Sequence, residues 1–391
     1  MQNSSNRLLS IDVLRALTMF LMIFVNDASG IKHIPEWIDH APGNADAMGF
    51  ADTIFPAFLF ILGLSLPFAI NNRLKKGESF IKILLYILGR SAALLIMGFF
   101  QVNIEDYNNS AALIPVAPWA IIVTTAFFLI WLDYPETINK TKKHLLMGIG
   151  IALLIAMAAI YKGGSPVHPT WMRASWWGIL GIIGWSYIVC ACIYLIAKGR
   201  LNVLVVFLLL FTAINIAEHT NLLSGRLWLI GDGSSVTLTM GGVLISRLYN
   251  YWADRKKKQL FSNFLIITGI LLIAAGLLIR GYADGISKIR STPAWVFICG
   301  GITILMFQLF IYLVDVKGKK DFLKIIRPAG TSTLTCYLLP YYEVFILKLF
   351  HIKYSNAINN GFIGLLRAFL ISFILILIAG QLEKRRLRLK I

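Results

Sequence analysis

The stretch Arg7-Leu8-Leu9-Ser10-Ile11-Asp12-Val13-Leu14-Arg15-Ala16-Leu17-Thr18, apolar from there to Asn26, decides the fold. Its apolar run is about 20 residues, long enough to cross a hydrocarbon layer of about 30 Å. Asp12 and Arg15 are three apart, so one helix face carries both. A second such helix opens at Ala51-Asp52-Thr53-Ile54-Phe55-Pro56, and an irregular loop between them holds His40-Ala41-Pro42-Gly43-Asn44. Hydrocarbon makes ionisable groups costly, so charges inside membrane helices are candidate functional residues.

The same reading extends along the whole chain. Of 391 residues, 58% are hydrophobic. Spans fall at roughly 8–28, 50–70, 81–103, 112–131, 143–161, 174–197, 201–217, 233–250, 262–281, 294–315, 329–350 and 361–380. The expected architecture is all-α: a polytopic transmembrane helical bundle of about 11–12 membrane-spanning helices, forming one domain over 1–391. No stretch between runs is long enough for a separate soluble domain. The first run lacks an A-x-A cleavage site and reads as an uncleaved helix.

The net charge of +18 raises the question of nucleic acid, and the position of the charges answers it. About 24 of the Lys and Arg fall in alternate short loops and tails, and about 7 in the opposite loops, which is the positive-inside pattern. The basic segments are Arg73 to Lys76, Lys140 to Lys143, Lys198 to Arg200, Arg255 to Lys258, Lys317 to Arg327 and Lys384 to Lys390. Both termini are then expected on the cytoplasmic side, and the loop with His40 faces outward. Short loops and the absence of an organelle-targeting segment suggest a bacterial inner membrane. Basic loops meet membrane lipids, and nucleic acid is not an expected partner.

Several chemistries lack their motifs. There is no G-x-x-x-x-G-K-[ST] phosphate loop and no serine-hydrolase elbow. Six scattered histidines form no H-x-x-x-H pair with a carboxylate, so no metal site is expected. Cys190, Cys192, Cys299 and Cys336 all sit in apolar runs and read as small buried residues.

The candidates that remain are few. Asp12 and Arg15 can pair, anchor helices, bind an anionic group, or snorkel to headgroups. His40 can act as a general base, carry an acyl group, or simply make ordinary loop hydrogen bonds. Asp52 can orient His40 or complement its helix dipole. Asn26, near the outer end of the first helix, can donate to a carbonyl oxygen. Arg90 lies inside the third helix and Glu343 inside the eleventh, the latter open to roles as proton relay, ligand or ion-pair partner. Asn215 and Glu218-His219 close the seventh helix, where they can contact a sugar or solvent. Gly330 to Tyr337 carries small and hydroxyl residues suited to close helix packing.

The first two helices also carry a resemblance. "RLLSIDVLRALTMFLMIFVN" from Arg7, followed by "HAPGNADAMGFADTIFPAFLFILGLSLPFA" from His40, resembles the heparan-α-glucosaminide N-acetyltransferase family and its bacterial relatives. "LGRSAALLIMGFF" around Arg90, "GDGSSVTLTMGGVLISRLY" from Gly231 and the stretch from Gly330 to Tyr337 resemble later family segments, with Ala16 standing where the family has Gly. The resemblance implies an enzyme moving acetyl from cytosolic acetyl-CoA across the membrane onto the amine of a glucosamine residue. It places His40, Asn26 and Asp52 in the catalytic centre, Arg15 and Arg90 toward the CoA, and Asp12, Asp232 and Glu343 toward the sugar. Expected partners are an amino-sugar or glycan substrate, CoA and membrane lipids, with a homodimer as one assembly. Two other functions fit the same residues: a transporter of N-acetylated amino sugars, and an O-acyltransferase of a cell-envelope glycan.

Overall fold

A computed structural model describes residues 8–223, 225, 227–253, 257–319, 321 and 323–391. Arg7, Arg255, Lys256 and Lys320, used above for the first motif and the basic loops, lie outside the described residues. Among the described residues the helices are α1 Leu9–Ala28, α2 Ala51–Lys75, α3 Phe80–Glu105, α4 Val116–Trp131, α5 Lys140–Ala159, α6 Gly178–Ile196, α7 Leu201–His219, α8 Ser234–Ala253, α9 Lys258–Ile279, α10 Pro293–Phe310, α11 Arg327–Thr331, α12 Thr333–Leu349 and α13 Gly361–Lys384. A two-residue ribbon, β1 Gly163–Gly164 against β2 Pro169–Thr170, is antiparallel. Each of the twelve expected spans falls on helical structure, one of them on two helices.

Among the described residues, nine helices are long and apolar enough to cross a membrane, and α4 is apolar but shorter at 16 residues. The chain is an all-α, multi-pass membrane protein. The apolar stretches of α5, α7 and α9 are mostly uncovered by protein. Such a face is stable only against lipid or another apolar surface.

Two expectations need correction. The span at 329–350 is not one helix: α11 stops at Thr331, and Ser332 (φ −124°, ψ 43°) breaks the run before α12. The break follows from packing. Gly330 lies so close to α1 that a Cβ there would come within 2.6 Å of the Asp12 carbonyl. Its own carbonyl turns to accept from the Arg15 guanidinium at 3.2 Å. The cysteines are also not uniform: Cys190, Cys299 and Cys336 are buried, but Cys192 is half-buried.

Loops that belong to one end of the bundle bond to each other. At the His40 end, Lys32 bridges Asn360, Asp46 pairs with Arg280, and Asn103 bonds both to and from the Arg173 backbone. At the basic end, Leu132 bridges Leu389, and Arg247 donates to the Gly199 carbonyl. Helix pairs α2–α8, α9–α10, α3–α6 and α4–α5 make the closest packing.

The α2–α8 pair shows why glycine sits where it does. A Cβ on Gly63 would collide with the Thr239 carbonyl, and one on Gly242 with the Phe60 carbonyl. Small residues let membrane helices approach this closely. Alanine ordinarily favours a helix over glycine by about 1 kcal/mol. Gly63→Ala and Gly242→Ala are nevertheless expected to lose about 1–3 kcal/mol through overpacking. Gly89→Ala, with nothing within 4 Å of its Cβ, is expected to be neutral or stabilising. Thermal unfolding in detergent reads the difference.

Candidate active site

Asp52 lies in the first turn of α2, where negative charge complements the helix dipole. Its side chain is only 2% exposed. It is satisfied by three donors: His40 Nδ1 lies 2.6 Å from Oδ1, and the backbone N–H groups of Ala41 and Gly49 donate to Oδ2, each at 3.0 Å. One carboxylate thus ties together two points in the second half of the loop that separates α1 from α2, Ala41 and Gly49.

His40 is half-buried, 28% exposed, and its backbone N–H donates to Asp39 Oδ1 at 2.7 Å. A carboxylate oxygen only accepts, so the hydrogen between His40 and Asp52 rides on Nδ1. The second ring nitrogen, Nε2, then presents its lone pair. That is the form in which an imidazole takes a proton or attacks an electrophile.

The backbone beneath this pair is specialised. Pro56 has no N–H, so the Asp52 carbonyl loses its intrahelical partner four residues on. Trp295 of α10 replaces it, its indole N–H donating to that oxygen at 3.1 Å. The Cys299 thiol lies 3.9 Å from the same oxygen.

The loop between α9 and α10 closes over the site. Lys288 Nζ stands 3.2 Å from His40 Nδ1 and 3.9 Å from Asp52 Oδ1. Burial holds its ammonium below the ordinary 10.5. Asp46, from the His40 loop, accepts from the Ile286 N–H at 2.6 Å and from Arg280 Nε at 2.8 Å. These donors hold its carboxyl below the usual carboxylate range. Asn215 and His219 of α7 grip the same loop through the Ser291 carbonyl and Asp284. These bonds give Asn215 and His219 a structural role in the loop.

A cavity of about 1250 Å³ opens at the basic end. Asp12, Arg15, Lys75, Lys76, Arg90, Arg247 and Lys390 line it, and Met19, Met22, Phe58 and Leu62 form apolar wall. Arg15 donates to Asp12 at 3.2 Å and to Ser65 Oγ at 2.6 Å. Arg90 reaches the Tyr86 hydroxyl at 3.2 Å and lies over the Tyr187 ring, yet its buried Nε has no partner among the described residues. Segment 389–391 lines the cavity as well, held by the Leu389 N–H on Thr335 Oγ1.

The structure therefore sorts the expected residues into groups. His40 and Asp52 are brought together. Asp12, Arg15 and Arg90 share the basic cavity at the other end. Asn26 is exposed at the outer end of α1 and neither bonds to His40 nor lines the cavity. Asp232 caps α8, accepting from the Ser234 backbone N–H and hydroxyl. Glu343 accepts from the Tyr354 hydroxyl at 2.6 Å, beside the Arg367–Asp27 pair. Lys288 was missed by the sequence reading. The available signal was a cation in an outer loop, against the charge bias of the chain.

Comparisons with known proteins bear on this geometry. Residues 7–169 match the family model described as "Domain of unknown function (DUF5009)". The chain is 36% identical over 102 residues to a protein of Mus musculus named heparan-alpha-glucosaminide N-acetyltransferase, covering 26% of this chain and 15% of that one. It is 36% identical over 97 residues to the Homo sapiens protein of that name, covering 25% and 14%. The similarity to this family read from the sequence is thus present over about a quarter of the chain, and the match spans only a small part of the curated relatives' length.

Asp52 should dominate the order of the site. Asp52→Ala removes a buried acceptor and leaves its donors unsatisfied, each costing about 1–3 kcal/mol. The expected result is a lower melting temperature and new protease cleavage within residues 39–50. Asp52→Asn, which keeps one acceptor oxygen, is expected to fall between Asp52→Ala and the wild type.

Proposed function

We propose that this protein is a membrane acetyltransferase. In this reading it takes acetyl from acetyl-CoA held at the basic end and delivers it to the amine of an amino sugar at the His40 end. The observation that carries the proposal is His40 itself, bound through Nδ1 by buried Asp52 and leaving Nε2 for chemistry. Similarity to proteins named as acetyltransferases supports it. The positive-inside bias supports placing the basic end in the cytoplasm and the His40 end in the periplasm of a bacterial inner membrane.

Each part of the reaction has residues suited to it. The phosphates of CoA are anionic, and guanidinium groups bind them with paired, charge-assisted hydrogen bonds. Arg15, Arg90 and Arg247 face the same cavity, and the Arg90 Nε, without a partner among the described residues, is a donor in want of an anion. The apolar wall formed by Met22 and Phe58 suits the uncharged end of such a molecule. At the other end, Nε2 of His40 takes a proton from the attacking amine as the tetrahedral intermediate forms. Alternatively, Nε2 attacks the thioester carbonyl and the CoA thiolate leaves; the amine then attacks the acetyl-imidazole, and the imidazole leaves as the amine proton is lost to it.

One spatial fact constrains both routes. His40 does not line the basic cavity, whose reach along α2 includes Phe58. Asp52 and Phe58 are six residues apart, about 9 Å of helix rise. Transfer needs the thioester end to cross this layer between α1 and α2.

The test is purified protein in nanodiscs with acetyl-CoA and glucosamine. Release of CoA with an amide product is expected. His40→Ala should cut turnover by about 10²–10⁴-fold. Arg15→Ala and Arg90→Ala should each raise the KM for acetyl-CoA about tenfold or more, as charge-assisted bonds are lost. CoA release unaffected by His40→Ala would overturn the reading. Sugar uptake into proteoliposomes without acetyl-CoA would replace it with a transporter, and an ester product with an O-acyltransferase.

A further inference from the structure

Three cations stand in the loop between α9 and α10, and they do different work. Arg280 pairs with Asp46. Arg290 donates to the Ala45 and Asp284 carbonyls. Lys288 alone turns to the His40–Asp52 pair, with a side chain 25% exposed. Among the described residues its Nζ has no other partner.

We propose that Lys288 is a positioning residue for His40: its ammonium, set against the ring nitrogen that Asp52 binds, keeps the imidazole neutral and ready to act through Nε2. This inference rests on His40 serving as the base or acyl carrier of the proposed reaction.

Three atoms form a triangle at the site. Nδ1 and Asp52 Oδ1 are 2.6 Å apart, Nδ1 and Lys288 Nζ 3.2 Å, and Nζ and Oδ1 3.9 Å. Two bare acceptors would repel at the first distance, so a hydrogen lies between Nδ1 and Oδ1. A buried carboxylate alone favours the imidazolium, because it rewards positive charge on the ring. An imidazolium has no lone pair at Nε2 and can neither take a proton nor attack a thioester. An ammonium against the same nitrogen penalises a second positive charge there. It therefore offsets the carboxylate's pull while leaving the Nδ1 hydrogen in place to orient the ring.

Among the described residues no other charge set against this pair does this. Asp39, on the same loop, is engaged with the His40 backbone N–H. Asp46 is neutralised by Arg280. From α10 the site meets the Cys299 thiol and the Trp295 indole, both turned to the Asp52 carbonyl. The ammonium is itself partly buried, and Asp52 is what favours its charged form against that burial. Lysine, carboxylate and imidazole are then mutually dependent.

The experiment compares pH profiles of kcat/KM for wild type, Lys288→Met and Lys288→Arg. With the cation gone, the ring gains its second proton more readily, so the acid limb moves to higher pH. The expected shift is about one unit or more in Lys288→Met, and little in Lys288→Arg, which keeps the charge. A nitrogen-15 histidine titration of each protein in nanodiscs, with the His40 signal assigned by its loss in His40→Gln, reads the same event without any turnover. It is expected to show the ring protonating at higher pH in Lys288→Met. Lys288→Gln gives the same two readings should Lys288→Met fail to fold. An acid limb and a histidine titration both unmoved in a folded, uncharged variant would overturn the proposal. Absence of acetyl transfer in the wild type would defeat the acyl-transfer reading, and the titration would still decide the role of Lys288.

Discussion

The site depends on one buried carboxylate. An isolated charge taken out of water costs several kcal/mol, and it persists only where donors surround it. Asp52 has such a shell: an imidazole and two backbone N–H groups, all contributed by its own loop and helix start. This charge draws the second half of the loop onto one helix terminus and fixes the histidine in one tautomer. The backbone supports the arrangement. Pro56 frees the Asp52 carbonyl, and Trp295 of α10 reclaims it, so the helix that carries the acid is tied to the helix that follows the Lys288 loop.

At the opposite end the same physics works with the sign reversed. Arg15 enters the bundle with Asp12 beside it, a hydroxyl from α2 and a carbonyl from α11. These partners lower the cost of its burial, and the carbonyl among them, Gly330, lies two residues before the break at Ser332. The cavity that results is lined by more cations than carboxylates. An excess of positive charge around a partly enclosed space concentrates anions there. The two ends are thus complementary: one is organised around a carboxylate, the other around guanidinium groups.

Much of this was legible in the sequence, because hydrophobic length is a strong signal. Twelve apolar runs gave twelve helical positions. The weakly apolar α8 and the short break between α6 and α7 were both readable, since a loop of basic residues punctuates one, and Gly, Ser and Thr do not prevent a helix that packs closely. His40 and Asp52 were legible as a pair because a loop histidine and a helix-start carboxylate lie twelve residues apart with a turn-rich segment between. What was not legible depended on residues distant in the chain. Lys288 is 248 positions from His40, and a lone lysine in a polar loop carries no spacing to mark it. The break at Ser332 comes from Gly330 meeting α1, a contact that no local pattern encodes. Asp232 and Glu343 looked alike in sequence, as acids near membrane helices; only their partners separate a helix cap from a side-chain hydrogen bond.

The apolar layer between the two ends bears on what the proposed chemistry requires. Met22 and Phe58 mark the reach of the basic cavity toward His40 on α1 and α2. A phosphate could not cross such a layer without losing its hydration, whereas an uncharged thioester arm loses little. The layer therefore favours a division of the donor molecule: its anionic part stays among Arg15, Arg90 and Arg247, and its neutral end goes on toward the imidazole. On this view the separation of about 9 Å along α2 is part of the selection. The cations decide what is held, the apolar wall decides which portion passes, and the Asp52–His40–Lys288 triangle decides whether the nitrogen it meets is free to react.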